Sequence, residues 1–210
     1  GWAANPDGVA VLIGNKTYHG RIPAVDYAHN DAEGIKRYVT DVLGFDPDNI
    51  IDLRDATQAQ MQATFGNRET HKGKLWRYLD PKGTSDIVVF YSGHGVPGQN
   101  DKRGYLLPVN ADPDQAEING YPVDLLYQNL GKLKARSKTV LLDACFSGDS
   151  PKGMLIRLAS PVFIQAKAGH VDKSMTVLTA ASGSQLASWD EKARHGLFTE
   201  YFLRGVYGGA

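Results

Sequence analysis

Hydrophobic positions in this chain fall in short, nearly unbroken runs separated by longer stretches with helical spacing. Val9–Gly14 (VAVLIG), Ile50–Leu53, Ile87–Tyr91 (IVVFY), Thr139–Leu142 (TVLL) and Met175–Thr179 (MTVLT) are rich in β-branched residues and read as strands. Leu106–Val109 reads as an extended, edge-like segment because of Pro108. Between these runs, Ala24–Leu43 carries apolar residues at Ala28, Ala32, Ile35, Val39 and Val42 and is stopped by Gly44, which predicts a helix. Thr57–Leu79 predicts one helix or two, with Gly66 and Gly73 weakening its middle. Val123–Leu133 and Leu197–Leu203 complete the helical segments, and Pro97–Gly104 and Phe146–Lys173 read as surface loops. Apolar strands alternating with helices predict an α/β fold, a mostly parallel sheet with helices on both faces.

Composition narrows the classes. The 210 residues suffice for one domain, expected to span residues 1–210. Lys plus Arg and Asp plus Glu each total 23, so no net field favours nucleic acid or an anionic membrane. No apolar run reaches spanning length, and no signal peptide is visible, so the expected location is cytoplasmic. Gly1 in place of Met predicts a segment excised from a longer chain, with flanking domains possible. One cysteine excludes an internal disulfide and a thiolate zinc cage.

In open α/β sheets, ligands gather at the carboxyl ends of the strands. After IVVFY comes Ser92-Gly93-His94-Gly95, and after TVLLD comes Ala144-Cys145-Phe146-Ser147-Gly148. The loop after VAVLIG leads to Asn30-Asp31. A thiol needs a base, and histidine titrates nearest neutrality, so Cys145 and His94 form a candidate nucleophile and proton shuttle. Gly93 and Gly95 are expected to turn the backbone sharply, and the N–H groups of Gly95 and Cys145 to form an oxyanion hole. Taken singly, a strand-end cysteine is usually a small core residue and a histidine a hydrogen-bonded one. Their matching strand-end positions favour chemistry. His195 is a competing base but precedes a helix rather than following a buried strand, and His19, His29, His71 and His170 show no ligand spacing. Trp189-Asp190 could wall the cleft.

Cys145 follows His94 by about 50 residues, a caspase-like spacing. Tyr91-Ser92-Gly93-His94-Gly95 and Asp143-Ala144-Cys145-Phe146-Ser147-Gly148 resemble the caspase-like cysteine peptidases, closest to the metacaspase and bacterial orthocaspase branch. Supporting matches run from Val9–Asn15 through Gly104–Pro108 to Ala181-Ser182 and His195–Thr199. The resemblance implies a caspase-like fold and peptide hydrolysis after Arg or Lys through a thioester. It also implies an S1 pocket of Asp31, Ser92 and Asp143, substrates with a basic P1 residue, and self-cleavage in the loop carrying Lys152, Arg157, Lys167 and Lys173. No cofactor is needed for this chemistry. Many metacaspases bind calcium through acidic residues after the cysteine. Here that loop offers only Asp149 and Asp172, and the Asp112, Asp114, Glu117 cluster reads as a solvated loop, so no metal is expected. No side chain stands out to orient His94, which leaves a dyad. Two other readings remain open: a silent caspase-fold module acting by binding, and a cysteine hydrolase of non-protein amides.

Overall fold

Runs of Val, Ile and Leu with both faces apolar can only be satisfied in a covered sheet, and they find it in a five-stranded sheet at the centre of the molecule. The structure is a computed structural model that describes residues 4–144, 146, 149–150, 153–154, 175–179, 189–190 and 195–196. The elements are, in order, β1 (Val9–Gly14), α1 (Ala28–Asp41), β2 (Ile50–Arg54), α2 (Gln58–Phe65), α3 (Lys74–Tyr78), β3 (Asp86–Ser92), β4 (Gly95–Pro97) and β5 (Gly104–Leu106). There follow α4 (Ala116–Asn119), β6 (Tyr121–Pro122), α5 (Val123–Gly131), β7 (Ser137–Asp143), β8 (Asp149–Ser150), β9 (Gly153–Met154), β10 (Met175–Thr179), β11 (Trp189–Asp190) and β12 (His195–Gly196). The main sheet has the order β10-β7-β3-β1-β2, and every pairing in it is parallel.

The strand side chains divide between two layers. Ala10, Leu12, Val88, Phe90 and Leu141 pack against Ala32, Ile35 and Val39 of α1. Val11, Ile13, Val89, Tyr91, Val140 and Leu142 pack against Met61 and Phe65 of α2, Leu75 of α3 and Leu126 and Leu130 of α5. The fold is thus the expected α/β sandwich, with helices on both faces. Fully burying a Leu or Ile such as Leu12 or Ile35 contributes about 1.5–3 kcal/mol, so this packing dominates stability.

Several boundaries differ from the sequence reading, each for a local reason. The helix expected from Ala24 begins at Ala28, because residues 24–27 belong to the incoming loop, where the Val25 N–H donates to Lys16 O. Thr57–Leu79 forms two helices. Thr57 and Gln60 cap the first reciprocally, and Gly66 ends it at φ +86°, where a Cβ would lie 2.1 Å from Thr70 O. The extended segment near Pro108 corrects the edge-like expectation. Residues Gly104–Leu106 form the middle strand of a small antiparallel sheet, β4-β5-β6, and Pro108 stands beyond its last ladder position. His195-Gly196 pairs with Trp189-Asp190 in an antiparallel ribbon. The expected helix Leu197–Leu203 and most of Phe146–Lys173, with its four basic residues, lie outside the described residues.

Candidate active site

Parallel register brings the last residues of four strands into one row. Gly14 of β1 lies beside Ser92 of β3 on one side and Arg54 of β2 on the other, and Ser92 lies beside Asp143 of β7. α1 follows β1 and sets Asp31 in its first turn, where the helix dipole favours a negative charge. Asp31 is 0 % exposed and Ser92 1 %. The Ser92 hydroxyl donates to Asp31 Oδ2 at 3.3 Å. Asp143 is half-buried, and its carbonyl accepts from the Gly93 N–H. Asp31, Ser92 and Asp143 are therefore neighbours at the carboxyl edge of the sheet. Gly14 makes this possible from below, since a Cβ there would come within 2.6 Å of the Ala28 carbonyl at the start of α1.

His94 sits just past the end of β3 and is 4 % exposed. Its Nε2 lies 2.6 Å from Pro23 O, in the loop between β1 and α1. A carbonyl can only accept, so Nε2 carries a proton, and in the neutral ring the lone pair is on Nδ1. Burial pushes the imidazole down to about 4, and the Pro23 carbonyl opposes the shift only in part. The Tyr18 ring packs on it at 4.6 Å between centroids, inclined by 50°. Sequence reasoning found no group to orient His94. The group present is a backbone carbonyl, which carries no residue-type signature.

The backbone bends at Gly93, as expected, but without the left-handed conformation that would by itself demand glycine. Positive φ angles among the described glycines occur at Gly20, Gly44, Gly66 and Gly83, not at Gly93 or Gly95. Both instead permit close approach. A Cβ on Gly93 would lie 2.7 Å from the Tyr18 hydroxyl and 2.8 Å from the Tyr91 hydroxyl. A Cβ on Gly95 would lie 2.6 Å from Cε1 of the Phe146 ring. Cys145, the expected nucleophile and oxyanion-hole donor, lies outside the described residues. Its two neighbours are described: Ala144 is buried directly after β7, and Phe146 covers Gly95.

The other candidates have structural occupations. Asp112 caps the turn at Asp114, Asp114 accepts from Gln99, and Glu117 accepts from the N–H groups of Asn100 and Asp101, so the acidic cluster braces the β4–β5 hairpin. His29, which shows no ligand spacing in the sequence, is engaged by a carboxylate. Its Nε2 lies 2.8 Å from Asp55 Oδ1, which also accepts from the N–H groups of Lys16 and Thr17. Among the described residues no helix is long and apolar enough to cross a membrane.

Comparison with known proteins agrees with this arrangement at the level of fold and family. A protein from Geobacter sulfurreducens superposes with a TM-score of 0.58 at 21% identity, over 97% of this chain and 83% of its own. Caspase-1 from Spodoptera frugiperda superposes with a TM-score of 0.53 at 13% identity, over 97% of this chain and 69% of its own. No curated protein sequence matches the chain. The caspase domain matches residues 7–208, nearly the full length. This chain belongs to the caspase domain family of cysteine peptidases.

Proposed function

We propose that this chain is one peptidase domain, a cysteine endopeptidase that cleaves after Arg and less well after Lys, with Cys145 as nucleophile and His94 as its proton shuttle. The observation that carries the specificity is a fully buried carboxylate, Asp31, held by Ser92 beside Asp143 at the edge of the sheet. A guanidinium entering there meets two carboxylates with a planar fork of donors. An aspartate meets like charge. Lys brings a point charge that cannot bridge both groups in a fork geometry.

The Nδ1 lone pair of a neutral His94 suits general-base work. In the proposed cycle Nδ1 takes the thiol proton as sulfur bonds to the scissile carbonyl carbon. The resulting oxyanion accepts from the Gly95 and Cys145 N–H groups. The C–N bond breaks as the imidazolium returns the proton to the leaving amine, which gives a thioester. Water then attacks the thioester, His94 takes its proton, and the thiol is restored as the acid leaves. The Phe146 ring against Gly95 supports this pairing, because it draws the residue after Cys145 to the residue after His94.

The test is turnover of small amides of Arg, Lys and Asp. Arg should exceed Lys, and Asp should not react. Asp31→Asn and Asp143→Asn should each lower kcat/KM for Arg by about one to two orders of magnitude, the worth of a charge-assisted hydrogen bond. In both variants Cys145 should still react with a small alkylating agent. Preference for Asp, or a double variant that cuts Arg amides normally, would show that specificity resides elsewhere.

A further inference from the structure

His94 is gripped at its peptide groups as well as at its ring. Its backbone N–H donates to the Tyr18 hydroxyl at 2.8 Å. Its carbonyl accepts from the Tyr91 hydroxyl at 2.6 Å. The two hydroxyls are 3.5 Å apart. With the N–H donating into Tyr18 and Tyr91 donating into the carbonyl, the remaining Tyr18 proton is directed to Tyr91, and the bonds close a ring around one residue. Leu107 completes the grip, its N–H donating to His94 O, while its carbonyl accepts from Asn15 Nδ2 and lies 3.3 Å from the Tyr91 hydroxyl, a weaker second acceptor for the proton given to His94 O.

Nothing in this ring is needed to build the sheet. Tyr91 could fill its core position as Phe, and Tyr18 comes from a loop rather than from a strand. Burying two hydroxyls is unfavourable unless both are bonded, and both are. Burial also pushes both phenols up, so they stay neutral donors across the working range. Gly93 fits the same scheme, since its missing Cβ is the space the two oxygens occupy.

We propose that Tyr18 and Tyr91 are positioning residues for His94, whose paired hydroxyls fix the His94 peptide so that its ring meets Pro23 O on one side and presents Nδ1 on the other. Gly93 is part of the same device, because only glycine leaves room for both oxygens. The inference rests on the reading of His94 as the base.

The experiment measures kcat and KM on an Arg amide for wild type, Tyr18→Phe, Tyr91→Phe, Gly93→Ala and His94→Ala. Rates are normalised to active sites titrated with an Arg-terminated, thiol-directed inactivator. Each Phe variant deletes one oxygen and keeps its ring. Each should lower kcat per titrated site by about tenfold with KM within about twofold, as loss of one buried hydrogen bond implies. The double Phe variant should lose little more than either single variant, because the ring is already broken. Gly93→Ala should resemble the Phe variants. A purely architectural role would lower the melting temperature or the titratable fraction and leave kcat per site unchanged, and that result in both Phe variants overturns the proposal. If only one Phe variant folds, its kcat per site decides alone. A wild type that turns over no Arg, Lys or Asp amide, or a His94→Ala variant with wild-type kcat, overturns the reading of the base and this inference with it. A His94→Ala variant that is dead beside fully active Phe variants overturns this inference alone.

Discussion

At the scale of single residues, the arrangement around His94 separates what a side chain is from where its protons are. Burial holds the imidazole down to about 4, against an ordinary value of 6.5. Between those two values the unfolded chain binds a proton that the folded protein does not, so this residue makes stability rise with pH across that window. Above pH 6.5 the contribution is complete, and on acidification it is lost through the folded value near 4. Titration of the His94 ring followed by NMR is expected to show a midpoint near 4. A midpoint at 6.5 would mean that the ring is hydrated, and one well above it that an anion pairs with the imidazolium. The place of His94, after a buried strand and between two glycines, was legible in the sequence, and its proposed role rests on that place. The role of Pro23 was not legible, because its carbonyl is a feature of every residue. The close approach at both glycines was not legible, because it comes from neighbouring rings and hydroxyls that sequence spacing does not reveal.

At the scale of elements, the loop between β1 and α1 is the part whose shape matters most to the site, since it supplies both Tyr18 and Pro23. Asp55, just past β2, holds that loop by accepting from Lys16 and Thr17 and by pairing with His29 on α1. Burial pushes its carboxyl up, but the two N–H groups and His29 outweigh this and leave it below the ordinary value. Asp55 adopts φ +63°, a left-handed conformation that Asp tolerates better than most residues. Asp55→Ala should therefore lower stability by about 1–3 kcal/mol, from strain and lost acceptors together. It should also reduce kcat per site, whereas Asp55→Asn should retain most of both. Chemical denaturation and kinetics on the two variants check this. Loss of neither property in the alanine variant would mean that the loop is held elsewhere. The cores of β1, β3, β7, β10 and α1 were readable from apolar periodicity. The start of α1 was not, because residues 24–27 have helical character but spend it on loop contacts. The middle position of β5 was hidden as well, since a three-residue strand has no period of its own.

At the scale of the whole molecule, the sheet has a working end and an anchored end. At the amino ends of β3 and β7, Asp86 accepts from Arg136, Ser137 and Asn5. Arg136, with help from Ser137 and Asn5 and against a smaller effect of burial, holds the Asp86 carboxyl at about 2 rather than 3.8. A depressed carboxylate contributes stability that is present above the unfolded value and lost as pH falls through the folded one. Asp86→Asn should thus be less stable than wild type above about pH 4 and equal to it near pH 2. Urea denaturation across that range measures the difference, and a constant gap down to pH 2 would exclude an ionic origin. Strand number and parallel direction were legible from the alternation of apolar runs and helices. The order β10-β7-β3-β1-β2 was not, because it depends on which way each crossover turns, and short-range pattern is silent on that.

The row formed by Arg54, Gly14, Ser92 and Asp143 draws on strands widely separated along the chain. A ribosome adds residues in order, and a domain folds as a unit once its parts have emerged. A nascent chain that has emerged only as far as β4 already holds Asp31, Ser92 and His94, yet it has neither Asp143 nor the thiol. On the proposed mechanism, hydrolytic competence therefore arrives only with β7 and Cys145, after His94 and the first carboxylate are already in the chain. For an enzyme whose substrate is polypeptide, the order of synthesis is itself a safeguard. The half-made protein stands beside its own ribosome, and beside other unfinished chains, without the thiol that the proposed chemistry needs.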